Sequence, residues 1–179
     1  GSGGSKRMLE ELETNNQLRD DLQSADIITI QIPTHAWGNP MRAYTRNPES
    51  CGGDDHQACL RNTLKDEKDH IEKIFGLIVE LADPTKTLIR AQDTYLFAVG
   101  EMKESGSFEI LNDYWRQEQK YIHHVSSRYG IPVAEVYDHF MGPEWNQDPA
   151  EHGLMLDKTH TNERGSRLMA DLIRELGYE

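Results

Sequence analysis

The stretch that decides the fold runs from Asp26 to Ile32 and reads Asp-Ile-Ile-Thr-Ile-Gln-Ile, with Pro33 ending it. A short, β-branched and mostly apolar run of this kind is typical of a strand buried in a parallel sheet. Two more runs that read as strands follow in the chain, at 87–91 and 131–136. The sequence therefore predicts three strands.

Helical patterns separate these strands. Apolar residues recur at helical spacing over 6–23, 56–82, 108–129 and 163–176. Alternation of helix and strand favours a parallel sheet covered by helices on both sides. We therefore predict one domain spanning 1–179, an α/β protein built as a three-layer α/β/α sandwich with a flavodoxin-like parallel sheet.

Long polar stretches follow each predicted strand, at 33–55, 92–107 and 137–160. Ligands of open parallel sheets bind in the loops beyond the carboxyl ends of the strands. Loops of this length inside a compact domain are usually functional. We therefore expect these three segments to be irregular and to surround the functional site.

The composition excludes several classes of partner. The 179-residue chain has a formal net charge of −12, and its 19 Lys and Arg residues are scattered along the sequence. Such a chain repels phosphate, which argues against nucleic acid as a partner. No run approaches the roughly 20 apolar residues that cross a bilayer, so we predict no transmembrane segment. The oligomeric state stays open.

The two cysteines, Cys51 and Cys59, lie in a polar loop rich in Gly and Asp. A loop this short can close as a disulfide, and a disulfide would indicate an extracytoplasmic or secreted protein. Two free thiols are the alternative. Without further ligands nearby, the pair is a weak signal for a metal site.

The sharpest chemical signal is Asp157-Lys158-Thr159-His160, just before the last predicted helix. An Asp three residues before a His can fold its carboxylate back onto the imidazole. That contact fixes the tautomer, leaves Nε2 free to accept a proton and stabilises the imidazolium. The alternative for an isolated Asp-x-x-His is an ordinary surface turn.

In its context this block resembles the final Asp-x-x-His block of the SGNH (GDSL-like) hydrolase family, which a terminal helix follows. Residues 24–30, Ser-Ala-Asp-Ile-Ile-Thr-Ile, resemble the family strand that precedes its oxyanion asparagine. The resemblance implies hydrolysis of lipid, acyl-sugar or other small carboxylic esters through a serine acyl-enzyme. It implies no metal or organic cofactor. By position, His160 would be the general base and Asp157 the residue that orients it.

The family nucleophile is the serine of a Gly-Asp-Ser block, and this block is absent from the 179 residues. The resemblance therefore implies that the first strand and its serine would precede residue 1. The opening segment Gly1-Ser2-Gly3-Gly4-Ser5 resembles the family's second block, a glycine turn before a Leu-rich helix. On that basis Gly3 would offer an oxyanion N–H group. A linker left by cloning is the alternative.

The family's third block, Gly-x-Asn-Asp, is replaced here by Pro33-Thr34-His35-Ala36. His35 takes the place of the asparagine, and an imidazole N–H can donate to an oxyanion. Asn39 could substitute for the family asparagine, but its spacing after the strand is wrong. Two rival functions follow from these departures: a non-catalytic binding module or inactive fragment, and a metal-dependent hydrolase that uses His35, Asp157 and His160.

Aromatic and histidine residues outside these blocks are weaker candidates. The tryptophans are expected either to line an acyl or sugar pocket or to pack in the core; they are Trp37, Trp115 and Trp145. His56 and His70 are expected on solvated faces of the molecule.

Overall fold

The computed structural model describes residues 4–177. The strands are β1 (Ile27–Gln31), β2 (Leu88–Gln92) and β3 (Val133–Ala134). The α-helices are α1 (Gly4–Thr14), α2 (Asn16–Ser24), α3 (Gly38–Arg46), α4 (Ala58–Leu81), α5 (Val99–Glu104), α6 (Phe108–Arg128), α7 (Val136–Met141) and α8 (Glu163–Glu175). Two 3₁₀ helices, Thr34–Trp37 and Pro48–Cys51, flank α3.

The strands form one parallel sheet in the order β1-β2-β3. Ile27 pairs with Leu88 and Gln31 with Gln92, so β1 and β2 are in register along their full length. The prediction of an α/β fold with a parallel sheet is confirmed. The carboxyl ends of all three strands therefore lie at the same end of the sheet, where the loops that follow them meet.

Helices cover both faces of this sheet, because alternate side chains of each strand point to opposite sides. Ile89 and Ala91 of β2 pack with Ile122 of α6 in the larger core cluster. On the other side, Ala134 of β3 packs with Leu172 of α8. This arrangement is compatible with a three-layer sandwich.

One face of β1 is exposed, and one of its hydrogen-bonding edges is unpaired within residues 4–177. Ile28 and Ile30 are buried, but Ile27 is 55% exposed and both Thr29 and Gln31 are exposed. Within residues 4–177, β1 pairs with β2 alone, so its second edge has no strand beside it. β1 is therefore an exposed edge strand that the described chain does not protect.

All three predicted loops contain helical residues, because α7 also extends into the third one, so the expectation that they are irregular was wrong. Trp37, Met41 and Tyr44 lie at helical spacing, and all three are buried where α3 packs. The second loop contains α5, which buries Val99 and Met102. In both segments, the apolar residues of the helix are interspersed with polar and Gly residues, so the helical pattern is hard to recognise in the sequence.

The other elements differ from prediction mainly in their boundaries. The first predicted helix is interrupted at Asn15, whose side chain accepts a hydrogen bond from the N–H of Leu18 and so caps α2. The third strand shrinks to two residues because the chain enters α7 at Val136. No helix within the described residues is both long and apolar enough to cross a membrane.

The predicted disulfide between Cys51 and Cys59 is confirmed. It links the second 3₁₀ helix to the first turn of α4, and Cys51 is buried in a cluster that includes Met41 and Leu60. The bond therefore fixes the segment that carries α3 against the long helix α4.

We expect Cys51→Ala/Cys59→Ala to lower the free energy of unfolding by about 2–3 kcal/mol, because closing a loop of this length restricts the unfolded chain. Urea denaturation of both proteins, with and without reductant, measures the difference. Reductant should destabilise the wild type alone. Equal midpoints for the oxidised wild type and the double variant would show that the bond contributes nothing.

Candidate active site

The carboxylate of Asp157 lies against the imidazole of His160, as the spacing predicts. Oδ2 of Asp157 is 2.9 Å from Nδ1 of His160, and Oδ1 is 3.1 Å from the same nitrogen. Oδ1 also accepts hydrogen bonds from the backbone N–H groups of Thr159 and His160, each at 2.8 Å. The N–H of Thr159 and then the His160 ring hold the pKa of Asp157 far below its usual range.

Backbone contacts hold the turn that carries this pair. The N–H of Leu156 donates to the carbonyl of His160 at 2.8 Å, which closes the turn. Tyr95 donates from its hydroxyl to the carbonyl of Thr159 at 2.9 Å. The N–H of Ala98 donates to the carbonyl of Lys158 at 2.9 Å. The pair is thereby fastened to the loop that follows β2.

The same turn is anchored to α8. The side chain of Asn162 accepts from the N–H of Gly165 at 3.0 Å and so caps the helix. Its amide also donates to the carbonyl of Gly153 at 2.9 Å. Gly165 approaches the preceding loop so closely that an added Cβ would lie 2.3 Å from the carbonyl oxygen of Leu154. No side chain fits there.

His160 faces a cleft of about 510 Å³ that His35 and Asn39 also line. Nδ1 of His160 is engaged with Asp157, whereas Nε2 has no hydrogen-bond partner among the described residues. The structure therefore brings the predicted base, the predicted oxyanion donor His35 and its possible substitute Asn39 into one cleft. Their catalytic roles stay predictions.

Side chains of contrasting character form the walls of this cleft. Met41 and Met102 are buried apolar residues beneath it, and Phe97 adds an aromatic surface. Arg42 also lines the cleft, as do Lys158 and Glu101, which form an ion pair. Such a cleft suits a compact ligand with one apolar and one polar end.

Gly3, the other predicted oxyanion donor, lies outside the described residues. Its neighbour Gly4 has a left-handed φ of 46° and begins α1. A Cβ added at Gly4 would lie 3.4 Å from the backbone nitrogen of Ala36 and 3.9 Å from Cβ of His35. Gly4 and the His35 segment therefore pack directly on each other.

Ser5 is the serine next to this segment, and its surroundings do not suit a nucleophile. It is fully buried, and Oγ donates to Oε1 of Glu67 at 2.6 Å. Oγ also lies 2.8 Å from Nδ1 of His70. Nδ1 of His70 faces both Ser5 and Glu67. In a catalytic triad the serine and the carboxylate contact different ring nitrogens, so these three residues do not form one. The expectation that His70 is solvated was wrong, because its side chain is only 22% exposed.

A second Asp–His pair lies elsewhere, and sequence reasoning missed it. Asp93, buried just after β2, contacts Nε2 of His123 at 2.9 Å through Oδ2 and accepts from the N–H of Tyr137 at 2.8 Å through Oδ1. The hydrogen bond with Asp93 raises the pKa of His123. The pair lines a separate pocket of about 260 Å³ that shares no residue with the cleft. The hydroxyl of Tyr137, which lines this pocket, donates to Asn112 at 2.6 Å.

The remaining candidates do not contribute to the cleft. Trp37 and Trp115 are fully buried and pack 6.2 Å apart in the core, whereas Trp145 lines the pocket of Asp93. Within residues 4–177, no group of three His, Cys, Asp or Glu side chains is arranged to hold a metal ion. The described residues therefore offer no support for the metal-dependent alternative.

We expect Gly165→Ala to lower the free energy of unfolding by about 1–3 kcal/mol, because the new methyl group would overlap the Leu154 carbonyl. Gly38→Ala is the matched control, since an added Cβ there comes no closer than 3.7 Å to its nearest neighbour, the Arg42 guanidinium. Urea denaturation measures both. Equal stability of the two variants would contradict the close approach that anchors the turn.

No protein-family model matches the chain, and no curated protein sequence matches it. The resemblance to SGNH hydrolases therefore depends on the Asp157–His160 block, on the strand sequence before His35 and on the order of elements. What the site can do must be argued from its geometry.

Proposed function

We propose that this chain forms the larger part of an SGNH-type serine hydrolase of carboxylic esters. The observation that carries the proposal is the Asp157–His160 contact of 2.9 Å at the cleft, with Nε2 of His160 unengaged among the described residues. An imidazole oriented in this way by an ionised carboxylate has the arrangement of a general base.

In the proposed mechanism, Nε2 of His160 accepts the proton of a serine hydroxyl as its oxygen attacks the ester carbonyl. The resulting imidazolium then donates that proton to the leaving alcohol, and a second cycle with water releases the acid. Asp157 stays ionised throughout and stabilises the imidazolium. N–H donors from the glycine segment and from His35 would face the oxyanion.

In this proposal the serine comes from outside the described residues. A strand paired with the second edge of β1 would carry it. The second edge of β1 is unpaired within residues 4–177, and one of its faces is exposed at Ile27, Thr29 and Gln31. A further parallel strand on this edge would end beside His35, at the cleft. These observations support a sheet that continues beyond β1, as in the SGNH fold.

The cleft favours short esters over extended lipids. Its volume of about 510 Å³ is moderate, and its apolar residues Met41, Phe97 and Met102 form a small patch. Arg42 among its lining residues would suit an alcohol or sugar with acceptor groups. The Cys51–Cys59 disulfide is compatible with an extracytoplasmic or secreted protein.

A non-catalytic binding module is the second candidate. The replacement of the family's third block by Thr34-His35-Ala36 favours it, as does the absence of a Gly-Asp-Ser block. The cleft would then bind an ester-bearing or acylated ligand without hydrolysing it. The two functions differ in a single measurable property, the presence of an activated serine.

A fluorophosphonate probe tests for that serine. In a form extended by the upstream coding sequence, we expect labelling and turnover of short p-nitrophenyl esters. His160→Ala and Asp157→Asn should each lower turnover by about 10²–10⁴-fold, because both remove general-base catalysis. His123→Ala, in the other Asp–His pair, is the control and should retain activity.

Unchanged turnover in His160→Ala would contradict the proposal. Absence of labelling, together with retained binding of an ester analogue in the cleft, would establish the binding module instead. Loss of activity in His123→Ala alone would move the site to the pocket of Asp93.

The oxyanion donor can be identified by comparing two substitutions. We expect His35→Ala to lower kcat by about 10²–10³-fold with little change in KM, since an oxyanion donor acts mainly in the transition state. Asn39→Ala should have a smaller effect. The reverse order of the two effects would show that Asn39 is the donor.

A further inference from the structure

Two carboxyl groups are buried beside the cleft and are not used in the proposed mechanism. Glu67 on α4 is 1% exposed and Glu118 on α6 is fully buried. Oε1 of Glu67 accepts from the hydroxyl of Ser5, and Oε2 of Glu118 accepts from the indole N–H of Trp37. The remaining oxygens, Oε2 of Glu67 and Oε1 of Glu118, have no hydrogen-bond partner.

Two unpaired carboxylates cannot both stay ionised in the interior without a large cost. Burial raises the pKa of Glu67. Burial, together with the charge of Glu67, raises the pKa of Glu118 to about 8. The pair therefore retains a proton at neutral pH, and a protonated carboxyl group supplies the donor that the unpaired oxygens lack.

We propose that Glu67 and Glu118 share one proton between these two oxygens, and that the resulting carboxyl pair positions both segments that face the cleft from the β1 side. The pair joins α4 to α6. Through Ser5 it holds the first turn of α1, and through Trp37 it holds the 3₁₀ helix that carries His35. The link to catalysis rests on the proposed function, whereas the shared proton does not.

The contacts around the pair connect it to the cleft. Ser5 is next to Gly4, whose backbone packs on Ala36, and Trp37 is two residues beyond His35. A cavity of about 380 Å³ has Glu67 and His35 among its lining residues, and it shares His35 and Asn39 with the cleft. Movement of either carboxyl group would therefore shift the groups proposed to bind the oxyanion.

Other titratable groups face Glu67, and they have to be separated from the pair. The charge of His70 lowers its pKa, and the charge of Asp66 raises it, both from α4. Lys6 of α1 and His35 line the same cavity. Apart from Trp37, Glu67 is the group that acts on Glu118.

The direction of the pH effect follows from the raised pKa. Above the ordinary pKa of Glu, the unfolded chain loses this proton while the folded pair retains it, so stability falls as the pH rises toward about 8. Near pH 8 the folded pair itself loses the proton. Two adjacent carboxylates then repel each other, and the contacts of Ser5 and Trp37 with them rearrange.

The test is ¹⁹F NMR of the 179-residue protein labelled with 5-fluorotryptophan, with signals assigned by single Trp→Phe substitutions. We expect the Trp37 signal to shift between pH 6 and 10 with a midpoint near 8. The signal of Trp145, in the separate pocket of Asp93 and His123, is the comparison, and it should not share the Trp37 midpoint. A Trp37 signal that does not change over this range would overturn the proposal.

Matched variants assign the transition. Glu118→Gln keeps an acceptor for Trp37 and a donor for Glu67 without a titrating proton, so the transition should disappear while the fold is retained. Glu67→Gln should lower the midpoint by about one pH unit or more, since it removes the repelling charge. His70→Gln should leave the transition in place. A transition abolished by His70→Gln, or unaffected by both Glu variants, would refute the shared proton.

Should Glu118→Gln fail to fold, the shift of the midpoint in Glu67→Gln decides the question alone. In the extended enzyme, kcat should fall above pH 8 in the wild type and stay constant in Glu118→Gln, with KM little changed. The ¹⁹F transition without any ester turnover would refute the proposed function while supporting the carboxyl pair. Turnover with the same alkaline loss in both proteins would refute the positioning role.

Discussion

Parallel pairing of β1 with β2 is the constraint on which the cleft depends. The N–H of Leu88 donates to the carbonyl of Asp26 at 2.8 Å, which sets a register without offset along both strands. The segments that follow the two strands consequently start at the same end of the sheet. One of them carries His35, and the other reaches the Asp157–His160 turn through Tyr95 and Ala98. The cleft is the space between these two segments.

The Asp157–His160 pair and the Glu67–Glu118 pair are held in place by different interactions. The Asp157–His160 pair is exposed, and exposed ion pairs contribute little to stability. Its geometry is set by the backbone N–H groups of the turn itself, so it forms without a surrounding core. Glu67 and Glu118 are the opposite case, because their geometry is enforced by burial and their ionisation is costly.

Much of the fold could be predicted from the sequence, because apolar periodicity and β-branched runs are local signals. The parallel sheet and the Cys51–Cys59 bond follow from such signals. The same method missed α3, since the spacing of Trp37, Met41 and Tyr44 is embedded among Gly, Asn and Pro residues that are typical of loops.

Apart from His35, which the family resemblance assigns to the site, the candidate site was predictable only where its members are neighbours in sequence. Asp157 and His160 are three residues apart, and a single turn brings them together. Ser5 and Glu67 are separated by 62 residues, and Asp93 and His123 by 30, so only the tertiary fold creates these contacts. Nothing local distinguishes Glu118 from the other acidic residues of a helix with one solvated face. Its burial depends on the packing of α4 against α6.

His160 is more exposed to solvent than a general base usually is. Its side chain is 74% exposed, and a general base works best where water is excluded from the reacting atoms. The open side of the sheet is the edge of β1, and adjacent strands lie only about 5 Å apart. A strand added there would run parallel to β1, end beside His35 and place its next residue at the mouth of the cleft. Under the proposed function, one added strand therefore supplies the nucleophile and pairs with the second edge of β1, which has no strand beside it within residues 4–177.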